Sequence, residues 1–345
     1  MPRQKPLNIG VVGCGYWGPN LIRNFSSLSN VSVRAVCDTS QERLAHMKRL
    51  YPSIQKAVTD YEELVGDAEI DAIAIATPVH LHHRLGMRSL KAGKHTFIEK
   101  PMASSVAECQ DLVDLARQRK LTLMVGHTFI YTPEVRKIKQ ILDSGELGEV
   151  LYISSRRLNL GLFQKDINVA WDLAPHDISI ILFLLGEPPV SVNCQGKDHV
   201  AEGIEDVSNM SLNFTNGRFA TIMSSWLDPN KVREMTIVGT KKMLVYNDIE
   251  PQEKIKIYDK RVEAPPHYDT FAEFQYSYHY GDIYSPHVSQ AEPLKRECQH
   301  FLDCIDNNRE PETSGLDGLR VVQILEASTQ SLKNNGAAVP LSTAP

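Results

Sequence analysis

Several short runs of the chain hold residues whose types and spacing can do chemistry. Gly13-Cys14-Gly15-Tyr16-Trp17-Gly18 fits G-x-G-x-x-G. The pattern has meaning when an apolar strand precedes it and a helix follows. The first glycine then makes the tight turn, the second lets the backbone approach a pyrophosphate, and the third lets helix and strand pack closely. The helix N-terminus adds free N–H groups and the positive end of a dipole. Both flanks are present: Asn8–Val12 is an apolar run, and Pro19 opens a helix with Leu21, Ile22, Phe25 and Leu28 on one face. Asp38 ends the next strand, 20 residues past Gly18. A carboxylate there accepts ribose hydroxyls and repels a 2′-phosphate, so this segment reads as a site for NAD rather than NADP. Arg43, the nearest cation, falls inside the following helix and is a poor candidate for a phosphate clamp.

Glu99-Lys100-Pro101 closes another apolar run. Sites on parallel sheets form at the carboxyl ends of the strands, so Lys100 is expected at the nicotinamide end. Proline holds the lysine's backbone extended and also permits a cis bond. An ordinary strand-end lysine before a turn has the same spacing. Asp172 and His176 lie four apart. If a helix starts near Asp172, both face one way. A carboxylate beside an imidazole orients it and stabilises its cationic form, as a proton-abstracting group needs. The alternative is Asp172 as a helix N-cap, with His176 hydrogen-bonded in the core. His80, His82 and His83 crowd one segment, but their spacing reads as helix surface and no metal is expected. The six cysteines, Cys14, Cys37, Cys109, Cys194, Cys298 and Cys304, include no Cys-x-x-Cys pair. They read as reduced thiols of a cytoplasmic protein.

These residues need positioning elements. Over the first 125 residues, apolar strands alternate with helices: Val31–Cys37, Ala72–Ala76, His95–Ile98 and Leu121–Val125 are strands. Thr59 with Glu62, and Ser105 with Glu108 before Cys109–Arg119, look like capping boxes. That rhythm means a parallel sheet covered on both faces. After about residue 150 it changes. Met210, Leu212 and Phe214 alternate with polar residues, Asn216-Gly217 signals a hairpin, and Phe219–Trp226, Met235–Val238 and Met243–Tyr246 read as strands. Pro175–Leu185 is an apolar, buried helix, Glu292–Asn307 and Leu316–Leu332 close the chain as helices, and the last dozen residues read as a tail. The expected fold is α/β: a Rossmann dinucleotide-binding domain over 1–126, then an α+β domain over 127–345 with a largely antiparallel open sheet. A C-terminal segment of the second can pack back on the first. A chain of 345 residues exceeds the roughly 250–300 that one core supports.

A net charge of −5 with scattered Lys and Arg argues against nucleic acid or an anionic membrane as partner. Met1–Pro6 runs straight into a strand with no secretory signal, and the longest apolar stretch, Ile178–Leu185, is far short of a membrane helix.

Taken together, these motifs resemble the glucose–fructose oxidoreductase/inositol dehydrogenase (Gfo/Idh/MocA) family over nearly the whole chain. The match includes the glycine motif, Ala76-Thr77-Pro78 with His82 five residues past Thr77, Glu99-Lys100-Pro101, Asp172 with His176, Pro133, Gly148 and the closing Gly315–Ala327 helix. The resemblance implies that Lys100, Asp172 and His176 contact the reacting hydroxyl, with the histidine as acid/base. It implies that Gly13, Gly15, Tyr16, Trp17, Gly18, Asp38, Thr77, Pro78, His82, Glu99 and Lys100 line the NAD site. It also implies a homodimer or homotetramer packed through the open sheet. Two departures stand out: His127-Thr128-Phe129 where many relatives have Tyr-Asn-Arg, and Val79 in place of a common Asn.

The second half looks closest to members acting on nucleotide-linked sugars, on Asn159–Phe163, Asn168–Ile178, Tyr280-Gly281-Asp282-Ile283 and Glu292-Pro293-Leu294. Diphosphates need cations. Arg156, Arg157 and Lys165 precede the Asp172 segment, and Lys231 and Arg233 follow later; solvated surface charge is the alternative for each. His127, Arg157, Asn159 and Lys165, with Lys100, Asp172 and His176, are the substrate candidates. Tyr276, Tyr278 and Tyr280 alternate as an aromatic wall for a base or as one face of an edge strand. The implied reaction is NAD-dependent oxidation of a ring hydroxyl, the 3-hydroxyl of a nucleotide-linked N-acetylhexosamine. Its rivals are a free cyclitol or sugar dehydrogenase, an NAD-using glycosidase, and a nucleotide-sensing regulator without catalysis.

Overall fold

The computed structural model of the chain describes residues 5–263 and 277–341. They fall into two compact units, Met1–Tyr131 with Ala291–Glu326, and Thr132–Gln290 with Ala327–Pro345.

The first unit is a six-stranded, wholly parallel sheet. Its strands are β1 Leu7–Val12, β2 Val31–Cys37, β3 Lys56–Val58, β4 Ala72–Ile75, β5 His95–Glu99 and β6 Leu123–Gly126, in the order β3-β2-β1-β4-β5-β6. The central strands are buried on both faces, which explains their unbroken apolar runs. Helices α1 Gly18–Ser26, α2 Gln41–Leu50, α3 Tyr61–Val65, α4 His82–Lys91 and α5 Val106–Arg119 connect them. Ser105 caps α5 by accepting from the Glu108 N–H. The Thr59 capping box is not formed: Asp60 is the cap of α3 and accepts from Glu62 N–H. Strand β3 is too short to show a period in sequence. Helix α8 Pro293–Asn307 belongs to this unit, and Phe301 packs edge-on against Phe25 and Phe97, with ring centroids 6.5 and 5.8 Å away.

The second unit carries a nine-stranded, mostly antiparallel sheet in the order β14-β13-β12-β11-β7-β10-β9-β8-β15. The strands are β7 Val150–Leu160, β8 Ser191–Lys197, β9 Val207–Asn213, β10 Phe219–Ser225, β11 Leu227–Gly239, β12 Met243–Asn247, β13 Ile255–Glu263, β14 Ser277–Tyr284 and β15 Val339–Pro340. The β7–β10 pair alone runs parallel among these contacts. The Asn216-Gly217 hairpin joins β9 to β10, with Gly217 at φ +72°. Helix α6 Pro133–Asp143 opens the unit, and α7 Val169–Leu185 packs on the sheet against β10.

Two expectations change here. Helix α7 begins at Val169, not Pro175, because Asn168 caps it by accepting the Trp171 N–H at 3.1 Å. Pro175 sits inside the helix and forgoes one bond. The closing residues are not all tail: Val339 pairs with Val192, so the chain returns to the sheet edge after helix α9 Gly315–Lys333. Tyr278 and Tyr280 lie on the edge strand β14, 63% and 73% exposed, and Tyr276 lies outside the described residues. No helix among the described residues is long and apolar enough to cross a membrane.

Candidate functional site

The glycine turn is built as its spacing requires. Gly13 has φ +91°, and a Cβ there would strike the carbonyl of Ala76; a Cβ on Gly18 would strike the carbonyl of Gly13. The turn and the helix start are therefore too close for any side chain. Above Gly15 the nearest atom to a Cβ would be Arg43 Nη1 at 3.7 Å, so the backbone there faces open space. Beside it lies an open cleft of about 900 Å³, lined in part by Cys14, Gly15, Pro19, Thr39, Ser40 and Arg43.

Asp38 is buried, and its carboxylate accepts the Cys14 N–H at 2.6 Å and the Ser40 N–H at 2.8 Å. It thus ties the glycine turn to the end of β2. Arg43 lies on α2, yet its guanidinium reaches to 3.8 Å from Asp38. Its place in the helix, which counted against it in sequence, brings it to the cleft. Tyr16 is 93% exposed. Thr77 Oγ1 is buried with no partner among the described residues. An open glycine backbone, an acid at the end of β2 and an unpartnered hydroxyl fit a dinucleotide.

Lys100 follows β5, and the Lys100–Pro101 bond is cis. The groups around it in the first unit are buried and titratable. The Trp17 indole donates to the Glu99 carboxyl, and Gly126 is pressed against that carboxyl so closely that a Cβ would lie 2.9 Å from Oε2. Burial pushes the Glu99 pKa up to about 7, against the pull of Trp17 and Lys100. Glu297 on α8 is wholly buried and accepts from Thr128 Oγ1 at 2.7 Å. Burial and then the neighbouring Glu99 charge hold it well above the usual carboxyl range. Sequence reading missed Glu297, although Leu294, Cys298 and Phe301 flank it at helical spacing, which marks a carboxyl on an apolar face. His127 is 1% exposed, and neither ring nitrogen has a partner among the described residues. Burial, and then Lys100, push its pKa down to about 3, so the ring is neutral.

His82 is not on the helix surface. It is buried, with Nδ1 2.9 Å from the Pro101 carbonyl and Nε2 2.7 Å from the Thr77 carbonyl. Burial lowers its pKa while the two carbonyls oppose the shift. The ring ties the Thr77 turn to the segment after Lys100. His83 faces Asp111 at 3.2 Å. Among the described residues no three His, Cys, Asp or Glu side chains gather as a metal site.

In the second unit, Asp172 and His176 are both partly exposed and one turn apart on α7. The Trp226 indole donates to Asp172 Oδ2 at 3.1 Å. Asp172 is not the helix cap, since Asn168 is. Arg157, a substrate candidate on its sequence position, is committed to a carboxylate inside the second unit. It is 6% exposed and grips Asp177 with Nε at 2.7 Å and Nη2 at 3.2 Å. Ser155 Oγ donates to the same carboxylate at 2.8 Å. A buried arginine so committed holds β7 to α7, and a phosphate would have to displace Asp177 to reach it. Arg156 pairs with Glu234 at 2.6 Å and Arg233 with Asp248 at 3.4 Å. Lys165 and Lys231 are exposed, and Asn159 is half-buried.

A family profile described as "Oxidoreductase family, NAD-binding Rossmann fold" matches residues 7–127, and a "GFO/IDH/MocA C-terminal domain" profile matches 135–245. The chain is 26% identical over 340 residues to an uncharacterized oxidoreductase, YrbE, of Bacillus subtilis, covering 95% of each. It is 24% identical over 344 residues to a myo-inositol 2-dehydrogenase of Thermotoga maritima, covering 95% and 96%. A UDP-N-acetylglucosamine 3-dehydrogenase of Acidithiobacillus ferrooxidans is 28% identical over 239 residues, 67% of this chain and 71% of that one. That match covers less of the chain than the other two, so the nucleotide-sugar likeness is a distant one. A levoglucosan dehydrogenase solved with NADH and L-sorbose has a TM-score of 0.84 at 19% identity, covering 99% and 100%. At that identity the likeness is one of fold.

The raised Glu99 pKa has a signed consequence. The folded chain binds this proton more tightly than the unfolded chain, whose carboxyl titrates near 4.5. The stability it contributes is therefore complete below pH 4.5 and is lost as pH rises through about 7. Glu99→Gln stays neutral, so its stability relative to the parent should rise across that window by on the order of 2–3 kcal/mol. Denaturant unfolding at the two ends of the window tests this, and parallel pH slopes for parent and variant would show that Glu99 titrates alike in the folded and unfolded chains.

Proposed function

The chain belongs to the Gfo/Idh/MocA family of oxidoreductases, with an NAD(P)-binding Rossmann domain, and we propose that it is an NAD-dependent dehydrogenase, or ketoreductase in reverse, acting on a ring carbinol of a nucleotide-linked sugar. The 3-hydroxyl of an N-acetylhexosamine is the proposed position. One observation carries this: the chain keeps Lys100 at the end of β5 together with Asp172 and His176 on one helix. A sensor of nucleotides has no need of a proton acceptor. The likeness to the UDP-N-acetylglucosamine 3-dehydrogenase supports the sugar class.

In this reading His176 takes the hydroxyl proton, because a neutral imidazole is a competent base near neutral pH. Asp172 orients the ring and steadies its cationic form. Lys100 donates a hydrogen bond to the developing alkoxide. NAD, when bound, supplies the hydride acceptor. Burial keeps His127 neutral, so it adds no second cation beside Lys100. A free inositol or sugar is the second reading, favoured by the commitment of Arg157 to Asp177, which removes one cation from any diphosphate site.

The test is NADH formation across a panel of UDP-, GDP- and dTDP-sugars and free inositols. His176→Ala should lower turnover by on the order of 100-fold or more while NADH affinity stays near that of the parent. Lys100→Ala should be severe in turnover and weaken substrate binding as well. Near-normal turnover in a folded, NADH-binding His176→Ala protein would move the proton to another group.

Asp38 supports NAD over NADP, with Arg43 the opposing charge at the same cleft. Titration of both oxidised cofactors should give tighter binding of NAD, and Asp38→Ser should narrow the gap. Tighter binding of NADP to the parent protein defeats the assignment.

We also propose a homodimer or homotetramer. One face of the large sheet exposes Phe219, stacked on Tyr152, and Met223, and an apolar sheet face needs covering. Light scattering at micromolar concentration should give a multiple of 38.7 kDa, and the monomer mass would contradict the proposal.

A further inference from the structure

Trp226 lies between β10 and β11 and is 1% exposed. Its backbone is held from two sides. The N–H donates to the Asp206 carbonyl at 2.9 Å, and its carbonyl accepts the Gly161 N–H at 2.9 Å. Asp206 is itself fixed: its carboxylate receives His199 Nδ1 and the His199 N–H at 2.7 Å, and the Val200 N–H at 2.9 Å. The indole ring is boxed in as well. A Cβ on Gly161 would lie 2.6 Å from Trp226 Cδ1, and the Phe163 ring stands 5.4 Å away at 57°. The ring therefore has one pose, and in that pose Nε1 meets Asp172 Oδ2 at 3.1 Å. A buried indole N–H needs an acceptor, and this one is given to a carboxylate that is itself only half-buried. A terminal carboxylate otherwise rotates through a broad, shallow torsional well.

We propose that Trp226 is a positioning residue whose indole N–H fixes the rotation of the Asp172 carboxylate, and that Gly161 is small so that the ring can reach that pose. The inference rests on the reading of Asp172 and His176 as the acid/base pair. It adds the group that holds the pair's carboxylate in register.

Trp226→Phe keeps an aromatic ring and removes the donor. With the panel sugar of highest turnover, kcat should fall by about 10-fold or more, the size of a hydrogen bond to a charged group, while KM changes by less than about 3-fold. Gly161→Ala pushes the ring and deletes no polar group; it should lower kcat in the same sense. The independent readout needs no substrate. The chain has three tryptophans, so ¹⁵N-labelled protein shows three indole N–H signals, assignable with single Phe variants. Asp172→Asn should shift the Trp226 signal and leave those of Trp17, bonded to Glu99, and Trp171, bonded to Thr329, in place. That selective shift reports the bond itself, and the fall in kcat with KM nearly unchanged reports its effect on the reacting groups. An unmoved Trp226 signal, or unchanged kcat in Trp226→Phe beside a severe loss in Asp172→Asn, overturns the inference and leaves the acid/base reading standing. Near-normal turnover in both Asp172→Asn and His176→Ala instead overturns the acid/base reading, and this role with it.

Discussion

A carboxyl group taken out of water must be given donors or keep its proton, and each unit of this chain is organised round that requirement. In the first unit Glu99 ends β5 almost fully buried, with the Trp17 indole as donor and Gly126 against its face. Trp17 belongs to the glycine turn, so the turn that faces the cofactor cleft is bonded to the residue before Lys100. Glu297 has less support: among the described residues the Thr128 hydroxyl donates to it, and burial holds its pKa well above the usual carboxyl range. In the second unit Asp177 receives Arg157 and Ser155, and Asp172 receives Trp226.

This use of donors explains where the positive charge of the second unit goes. Arg157, Arg156 and Arg233 are paired to Asp177, Glu234 and Asp248. The Arg157–Asp177 pair is buried and bidentate. Breaking one side of such a pair leaves the other charge stranded, at a cost of roughly 3–5 kcal/mol. Arg157 is therefore needed to hold β7 to α7 directly beside His176, and a ligand would have to compete with Asp177 for it.

Neutral groups matter as much near Lys100. His127 opens the His127-Thr128-Phe129 segment, and its burial removes the cation an exposed histidine would offer at mildly acid pH. The His82 ring stands between the carbonyls of Thr77 and Pro101, close to both, and in its neutral form donates to one of them. Two strand-end loops that sequence treats as separate motifs are thereby one piece of structure.

Local physics was enough to read much of this in sequence. Unbroken apolar runs announced the parallel sheet, because strands buried on both faces admit no polar alternation. Gly13, Gly18 and Asp38 were legible because a turn without room for a Cβ and an acid at the end of β2 are backbone requirements with fixed spacing. Asn216-Gly217 marked a hairpin for the same reason. The start of α7 was misread because Pro175 is a strong local signal, and the cap at Asn168, with the packing of an all-round apolar helix, outweighs it. Charge fate was not legible at all. Whether Arg157 faces solvent or Asp177, whether His127 is an imidazolium, and that Glu297 meets Thr128 and Trp226 meets Asp172, 169 and 54 positions away in sequence, depend on burial and distance. Both are set by which elements pack together, and the tertiary structure alone decides them.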